Sequence, residues 1–194
     1  MASLFDQLES EAFRKGIQAR SKEANTWFAK KAKALGPIGA PKMLKDDRLE
    51  KTEASSGDMV MYVYDPKLKK SLPYYDTFPL TIVVGPAKDG FYGINLHYLP
   101  PKVRAIFLDK LNDITNNQKF DKTTRFKVTY KLLQSTANYK YFKPCFKHYL
   151  TKNVTSNIMK VNAAEWNIAI FLKTASFKGA STGTVWADSK RGYG

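Results

Sequence analysis

The sequence predicts an α+β fold, in which a small antiparallel sheet or a partly closed SH3-like barrel is flanked by helices. Three observations predict it. Apolar residues recur at helical spacing in residues 4–12. Short apolar runs bounded by Gly, Pro and Asp fill residues 58–99, as in a series of strands joined by turns. A further amphipathic stretch begins at Pro101, and the 194 residues suffice for one ordinary domain.

Residues 1–35 are predicted to form an N-terminal helical segment of two short helices. Ser3 is the expected N-cap of the first helix and Ser21 that of the second, which Gly36 would end. Residues 36–57 combine Pro, Gly and mixed charge without an apolar period. This stretch is therefore expected to be a linker or an extended arm.

Residues 58–118 are predicted to form the sheet or small barrel together with one covering helix. The apolar runs 59–64 and 78–84 are each followed closely by a proline, and residues 91–98 largely alternate between apolar and polar types. Alternation of this kind is typical of a half-buried strand. The amphipathic helix after Pro101 would cover one face of the sheet.

Residues 119–194 are predicted to be a basic helical region. Tyr130 and Leu133 share one face of its first expected helix, and Pro144 is expected to open a short second helix that runs through Leu150. The spacing of Asn162 and Glu165 fits a capping box at the start of a last helix.

The tail from residue 174 onward consists of small, polar and scattered aromatic residues. We expect it to be extended and held in place by Phe177 and Trp186.

Charge is the most unusual feature of the composition. The formal net charge is +15, and residues 119–194 contain 14 basic but only 3 acidic residues. Such an excess costs self-repulsion in the folded chain, which a polyanionic partner, most commonly nucleic acid, offsets. No stretch approaches the roughly 18 apolar residues of a membrane span, so a membrane partner is not expected.

The residues that enzymes use are sparse. Cys145 and His148 have the spacing of one helical face, but a buried cysteine is the expected reading because a second pair of metal ligands is lacking. His97 is expected to be hydrogen-bonded or to face a partner, and turn chemistry accounts for Asp76. No catalytic residue, metal, cofactor or small-molecule substrate is predicted; a metal-dependent nuclease is the enzymatic alternative.

A basic and aromatic segment, residues 139–149, is the strongest local signal for binding. Lysines neutralise phosphates, and aromatic rings either stack on bases or enter the core, which is expected for Phe142 and Phe146. Because lysine greatly outnumbers arginine in this region, sequence-nonspecific binding to double-stranded DNA is predicted. The residues predicted to contact DNA are Lys127, Lys131, Lys140, Lys143, Lys147, Lys152, Lys160, Lys190 and Arg191.

Five stretches carry a resemblance to a known family: residues 11–16, 61–80, 90–105, 143–150 and 185–191. Together they resemble a virion-associated protein family of T-even-like tailed phages, and within it the DNA end protectors. The resemblance implies a virion protein, made in the host cytoplasm, that binds the ends of packaged duplex DNA and shields them from exonuclease. It supplies no catalytic motif.

A structural subunit of the phage neck, tail or baseplate is the alternative function. In that case the aromatic strands, the arm 36–57 and the tail would contact other phage virion proteins.

Overall fold

The protein has the predicted α+β fold, in a computed structural model that describes residues 2–45, 54–115, 119, 129–133, 135 and 143–191. The strands are β1 (Met59–Met61), β2 (Tyr75–Asp76), β3 (Leu80–Ala87), β4 (Gly90–Asn95), β5 (Phe146–Leu150), β6 (Met159–Val161) and β7 (Phe177–Lys178). Five of them form an antiparallel sheet in the order β5-β4-β3-β1-β6, and β2 pairs with β7.

The sheet is open, so the barrel alternative is wrong. Its outermost strands, β5 and β6, lie at opposite edges instead of pairing with each other. Closure requires the edge strands to meet with a consistent stagger, and β1 and β6 contribute only three residues each. Both edge strands come from region 119–194, while the strands between them come from region 58–118. The two regions therefore share one sheet.

The N-terminal helices form as predicted, as α1 (Leu4–Arg14) and α2 (Lys22–Leu35). The Ser3 hydroxyl accepts the N–H of Asp6, whose carboxylate accepts the N–H of Ser3, both at 3.0 Å. This reciprocal pair satisfies donors that a helix start leaves free. Gly36 ends α2 with a φ of +68°, a backbone conformation that favours glycine.

The beginning of the expected arm is packed, which corrects the prediction for residues 36–45. They include a short helix, α3 (Ala40–Met43), and the side chains of Ile38 and Met43 are buried in the core. The N–H of Ile38 donates to the carbonyl of Lys173 at 2.9 Å. Ile38 and Met43 lie among prolines, glycines and lysines, so the sequence shows no helical or strand periodicity that would predict their burial. Residues 46–53 of the arm lie outside the described residues.

The sheet separates two apolar clusters. The larger one lies beneath α4 (Pro101–Thr115), the predicted covering helix, whose Phe107, Leu108 and Leu111 are buried in it. Successive strand residues point to opposite faces, so alternate residues enter the second cluster. That smaller cluster comprises Val60, Tyr62, Tyr64, Val83, Phe91 and Tyr149.

The helix predicted after Pro144 is wrong. Residues 143–145 form a single 3-10 turn, and the following residues form β5, paired with β4 from Phe146↔Ile94 to Leu150↔Gly90. Lys147 lies on the same strand face as the buried Tyr149. Because a lysine occupies this inward position, the sequence does not show the alternation of apolar and polar residues that is typical of a strand.

The helix predicted earlier in this region is seen as a helical stretch at residues 129–133, with Leu133 buried. The apolar spacing in the sequence also predicts Phe126 and Ala137 on this helix face, and both lie outside the described residues.

The capping box at Asn162 and Glu165 forms as predicted, and the Asn162 N–H donates to the Glu165 carboxylate at 3.0 Å. The helix that follows, α5 (Trp166–Ala169), is a single turn. The apolar residues Phe171 and Leu172 predict a longer helix, but they lie beyond its end.

The tail is ordered rather than extended, and its prediction is corrected. It contains β7 and α6 (Thr182–Arg191), which begins where the Ser181 hydroxyl accepts the N–H of Thr184 at 3.2 Å. Its two predicted anchors are confirmed. Phe177 packs edge-on against Tyr98 with ring centroids 5.2 Å apart, and the indole N–H of Trp186 donates to the carbonyl of His97 at 2.9 Å.

Within the described ranges, no helix combines the length and apolar character that crossing a membrane requires.

Candidate nucleic-acid interface

A cavity of about 330 Å³ lies at the β5 edge of the sheet. It is lined by residues of β5, of the loop between β1 and β2, and of a 3-10 turn, Leu96–Tyr98, that follows β4. We call it the tyrosine pocket. Its aromatic lining residues are Tyr64, Tyr74, Tyr75, Tyr98 and Tyr149.

The rings form a buried wall and a more exposed rim. Tyr64 and Tyr149 are buried and meet edge to face with ring centroids 4.9 Å apart, while Tyr74 and Tyr75 are half-buried. The Leu150 N–H donates to the Tyr64 hydroxyl at 3.2 Å, which fixes the wall to the end of β5. Burial raises the pKa of the Tyr64 and Tyr149 hydroxyls, so these groups are neutral at physiological pH.

Lys147 projects its ammonium group into this pocket. The Nζ atom lies 4.2 Å from the centroid of the Tyr98 ring, a cation–π contact. The side chain is half-buried, and no carboxylate of the described residues pairs with it. Burial lowers the pKa of Lys147, against a smaller opposing effect of the Cys145 thiol. A desolvated cation without a carboxylate is a ready partner for an anion.

The mouth of the pocket is basic and apolar. Lys67 is exposed there, and Leu68 has 63% of its surface accessible. The loop is stabilised locally, because Lys69 pairs with Asp65 at 2.8 Å. A cavity with aromatic walls, an internal ammonium and a basic mouth has the composition of sites that hold nucleotides of single strands.

A second polar group lies behind the pocket. His97 Nδ1 is 2.6 Å from the Asp76 carboxylate, and His97 Nε2 is 3.0 Å from the Thr174 hydroxyl. The order carboxylate, imidazole, hydroxyl is that of a hydrolytic triad. However, these residues have only 4%, 0% and 2% of their surfaces exposed, and the Thr174 hydroxyl lines none of the described cavities. The group ties the turn after β4 to the C-terminal tail.

The protonation of this group follows from its neighbours. Burial lowers the pKa of His97, and the nearby Asp76 offsets this only in part. Burial alone would raise the pKa of Asp76. The pKa is lowered instead, because Asp76 interacts electrostatically with His97 and accepts hydrogen bonds from His97, Phe78 and Asn95. His97 was expected to be hydrogen-bonded, which is confirmed. The turn chemistry expected of Asp76 is also present, since it accepts the N–H of Phe78 at 3.0 Å.

The structure also describes the environment of the single cysteine. Cys145 is buried, as predicted, and burial raises its pKa to about 12. Its neighbour His148 lies on a strand rather than on a shared helical face, and its imidazole bonds to the Lys88 carbonyl at 2.9 Å. Among the described residues, no three His, Cys, Asp or Glu side chains are grouped closely enough to hold a metal ion.

A model of the family described as the phage T4 terminal DNA protecting protein matches residues 3–190. The chain belongs to this family. The resemblance to DNA end protectors seen in the sequence is thereby confirmed. Searches of curated proteins and of solved structures each found no significant match.

In this member of the terminal DNA protecting family, the described residues predicted to contact DNA belong to several elements. Of those described, Lys147 lines the tyrosine pocket. Lys131, Lys143 and Lys152 are exposed, and Lys160 pairs with Asp58 at 2.8 Å.

The remaining predicted residues lie at the end of α6 or outside the described ranges. Lys190 and Arg191 are exposed in the last turn of α6, and Arg191 lies 3.7 Å from the carboxylate of Asp188. Lys127 and Lys140 lie outside the described residues.

Sequence reasoning missed the other walls of the pocket. Tyr74 and Tyr75 carry a visible signal, since two adjacent tyrosines follow Pro73 directly in a polar loop. The alternation over residues 91–98 predicts Tyr98 on a strand, but Tyr98 belongs to the turn that follows β4.

Proposed function

We propose that the protein binds the ends of linear double-stranded DNA without cleaving it, and that it shields those ends from exonucleases in the phage particle. The observation that carries this proposal is the family match across residues 3–190. The net charge of +15 supports it, because a polyanionic ligand offsets the repulsion within such a chain.

The tyrosine pocket offers a way to distinguish an end from continuous duplex. A cavity of about 330 Å³ suits a single nucleotide, not a base-paired segment. A terminal base that frays from its partner would stack on Tyr74 or Tyr75, and stacking of this kind contributes about 1–3 kcal/mol per base. Lys147 would lie close to the negatively charged sugar-phosphate of that nucleotide.

Exposed lysines near β5 would contact the duplex beyond its end. Lys143 begins the 3-10 turn that precedes β5, and Lys152 lies in the turn that follows it; both side chains are exposed. Lysine neutralises phosphates without reading bases, which supports nonspecific binding.

A non-catalytic role is supported by the burial of the Asp76–His97–Thr174 group. A nucleophilic hydroxyl must reach its substrate, and only 2% of the surface of Thr174 is exposed.

An exonuclease protection assay tests this function. Linear blunt-ended DNA is incubated with protein and then digested with a processive exonuclease, and a nicked circle measures binding away from ends. The double variant Lys143→Glu/Lys152→Glu should need about tenfold more protein for equal protection. The matched variant Lys22→Glu/Lys30→Glu carries the same charge change on α2 and should protect as the unmodified protein does.

Two results would contradict the proposal. Digestion at the same rate with and without the unmodified protein would exclude protection. Cleavage of the linear DNA by the protein alone would exclude a non-catalytic role.

Contacts with other virion proteins form a second candidate role. Phe13 on α1 has 84% of its surface exposed and Ile106 on α4 has 58%, so both apolar side chains are available to a protein partner. If this role holds, Phe13→Ser should leave DNA protection unchanged and reduce incorporation of the protein into phage particles. Equal incorporation of both proteins would argue against it.

A further inference from the structure

A second cavity, of about 480 Å³, brings together basic residues from distant parts of the chain. We call it the basic cavity. Its four basic lining residues are Lys33, Lys102, Arg104 and Lys173, which belong to α2, α4 and the segment after α5. No aspartate or glutamate lines it within the part of the chain that the structure describes. The basic residues that line it therefore have no acidic counterpart among the described lining residues.

Arg104 contributes a buried guanidinium group, of which one nitrogen donates no hydrogen bond to a described residue. Only 3% of its surface is exposed. Its Nε donates to the Leu99 carbonyl at 2.7 Å and its Nη1 to the Ile170 carbonyl at 2.9 Å. The remaining nitrogen, Nη2, has no hydrogen-bond acceptor among the described residues. Burial lowers the pKa of Arg104 to about 10, so the group is still charged at neutral pH.

Three lysines line the cavity together with this guanidinium. Lys33, Lys102 and Lys173 are exposed, and none of them pairs with a carboxylate of the described residues. Thr182, the first residue of the ten-residue helix α6, also lines the cavity. The positive end of that helix dipole adds to the field of the lysines. An oxygen-rich ligand with more than one negative charge fits this arrangement best.

We propose that the basic cavity binds the terminal phosphate monoester of a DNA strand. This inference rests on the proposed function, since it identifies which group of the DNA end is bound. A phosphate monoester carries about −1.5 to −2 charges at pH 7, against −1 for each phosphate within the strand. A cavity of about 480 Å³ is too small to enclose a duplex segment and suits the terminus of one strand.

The two cavities share one structural support. Trp186 lines the basic cavity and donates its indole N–H to the carbonyl of His97. The next residue, Tyr98, lines the tyrosine pocket. The turn Leu96–Tyr98 therefore connects the site proposed for the terminal phosphate with the site proposed for the terminal base.

The test compares binding to two blunt duplexes of identical sequence that differ in one group, a 5′-phosphate or a 5′-hydroxyl. A closed circle of duplex DNA measures binding without ends. The unmodified protein should bind the phosphorylated end about tenfold more tightly than the hydroxyl end. The triple variant Lys33→Glu/Lys102→Glu/Lys173→Glu should bind both ends equally. The matched variant Lys30→Glu/Lys110→Glu/Lys178→Glu, outside the cavity, should retain the tenfold difference.

Other results would overturn the inference in distinguishable ways. If the unmodified protein prefers ends over circles but binds both ends equally, the terminal phosphate is not recognised, while the proposed function stands. If it binds ends and circles equally, both proposals fail. If the matched variant loses the tenfold difference as fully as the triple variant does, overall charge rather than the basic cavity is responsible.

Discussion

The ammonium of Lys147 occupies a position that lysine rarely takes. It lies on the inward face of an edge strand, where the Tyr98 ring is its nearest favourable contact. Lysine is seldom buried without a partner, because desolvation of its charge is costly. Because a desolvated lysine at this position destabilises the fold, we interpret Lys147 as a ligand-binding residue rather than as a stabilising one.

Lys147→Met tests this interpretation. Methionine keeps the length of the side chain and removes the charge, and an apolar replacement of a buried charge is often neutral or stabilising. We expect an unchanged or slightly higher free energy of unfolding and about tenfold weaker binding to linear DNA ends. Urea denaturation and a binding titration measure the two quantities. A large loss of stability with unchanged binding would assign a purely structural role to Lys147.

The buried His97 predicts a dependence of stability on pH. Because its folded-state pKa lies below the ordinary value of 6.5, the unfolded chain takes up a proton below about pH 6.5 and the folded chain does not. The contribution of His97 is therefore fully present above pH 6.5 and is lost as the pH falls from there towards the folded-state pKa.

Urea denaturation at about pH 7.5, 6.5 and 5.5 measures this dependence. We expect the free energy of unfolding to decrease over the lower half of that range. The variant His97→Asn should be less stable but should lose less stability between the two lower pH values. A constant free energy of unfolding for the unmodified protein would show that His97 is not held neutral.

Among the secondary-structure elements, those with local signals were predictable. α1 and α2 follow from the cap at Ser3, the stop at Gly36 and a regular apolar spacing. β5 was missed because its inward residues are a lysine and a tyrosine, and only the pairing with β4 shows which side is inward. α6 was missed because it has few strong helix formers and depends on the packing of Val185, which is fully buried. Tertiary contacts override weak local preference in both elements.

The pairing of β4 with β5 depends on a glycine. A Cβ atom at Gly90 would lie 1.8 Å from the carbonyl oxygen of Tyr149, a backbone atom that cannot move without breaking the strand pair. Gly90→Ala should therefore reduce the free energy of unfolding by about 3 kcal/mol. Gly183→Ala is the control: its Cβ has only the Ser181 hydroxyl within 4 Å, and alanine favours the helix.

Thermal or urea denaturation of both variants measures these effects. An equally stable Gly90→Ala protein would mean that the edge strand β5 adjusts its position without cost. That outcome would also weaken the case for a rigid tyrosine pocket, because β5 forms one of its walls.

At the scale of the whole molecule, the net charge predicts how strongly the proposed DNA binding depends on salt. The net charge of +15 and the small number of arginines after residue 118 predict contacts to phosphates. If about six lysines contact phosphates, the logarithm of the association constant should fall with the logarithm of salt concentration at a slope near −5. Titrations between about 50 and 200 mM salt measure this slope. A slope near zero would show that the positive charge serves another partner.

The candidate sites were only partly accessible to sequence reasoning. The segment around Lys147 stood out because basic and aromatic residues are adjacent there. The basic cavity did not, because Lys33, Lys102 and Lys173 are separated by about seventy positions each and meet only after folding. α2 and α4 also lie outside the most basic third of the chain, where the excess of positive charge predicts DNA contacts.

The burial of Cys145 determines how the protein responds to oxidation by air. A thiolate is the species that oxygen and other thiols attack, and a pKa of about 12 leaves almost none of it at neutral pH. The Cys145 thiol should therefore remain reduced, and no intermolecular disulfide should form, during long exposure to air. Purification without added reductant should yield neither a sulfur-linked dimer nor an oxidised cysteine.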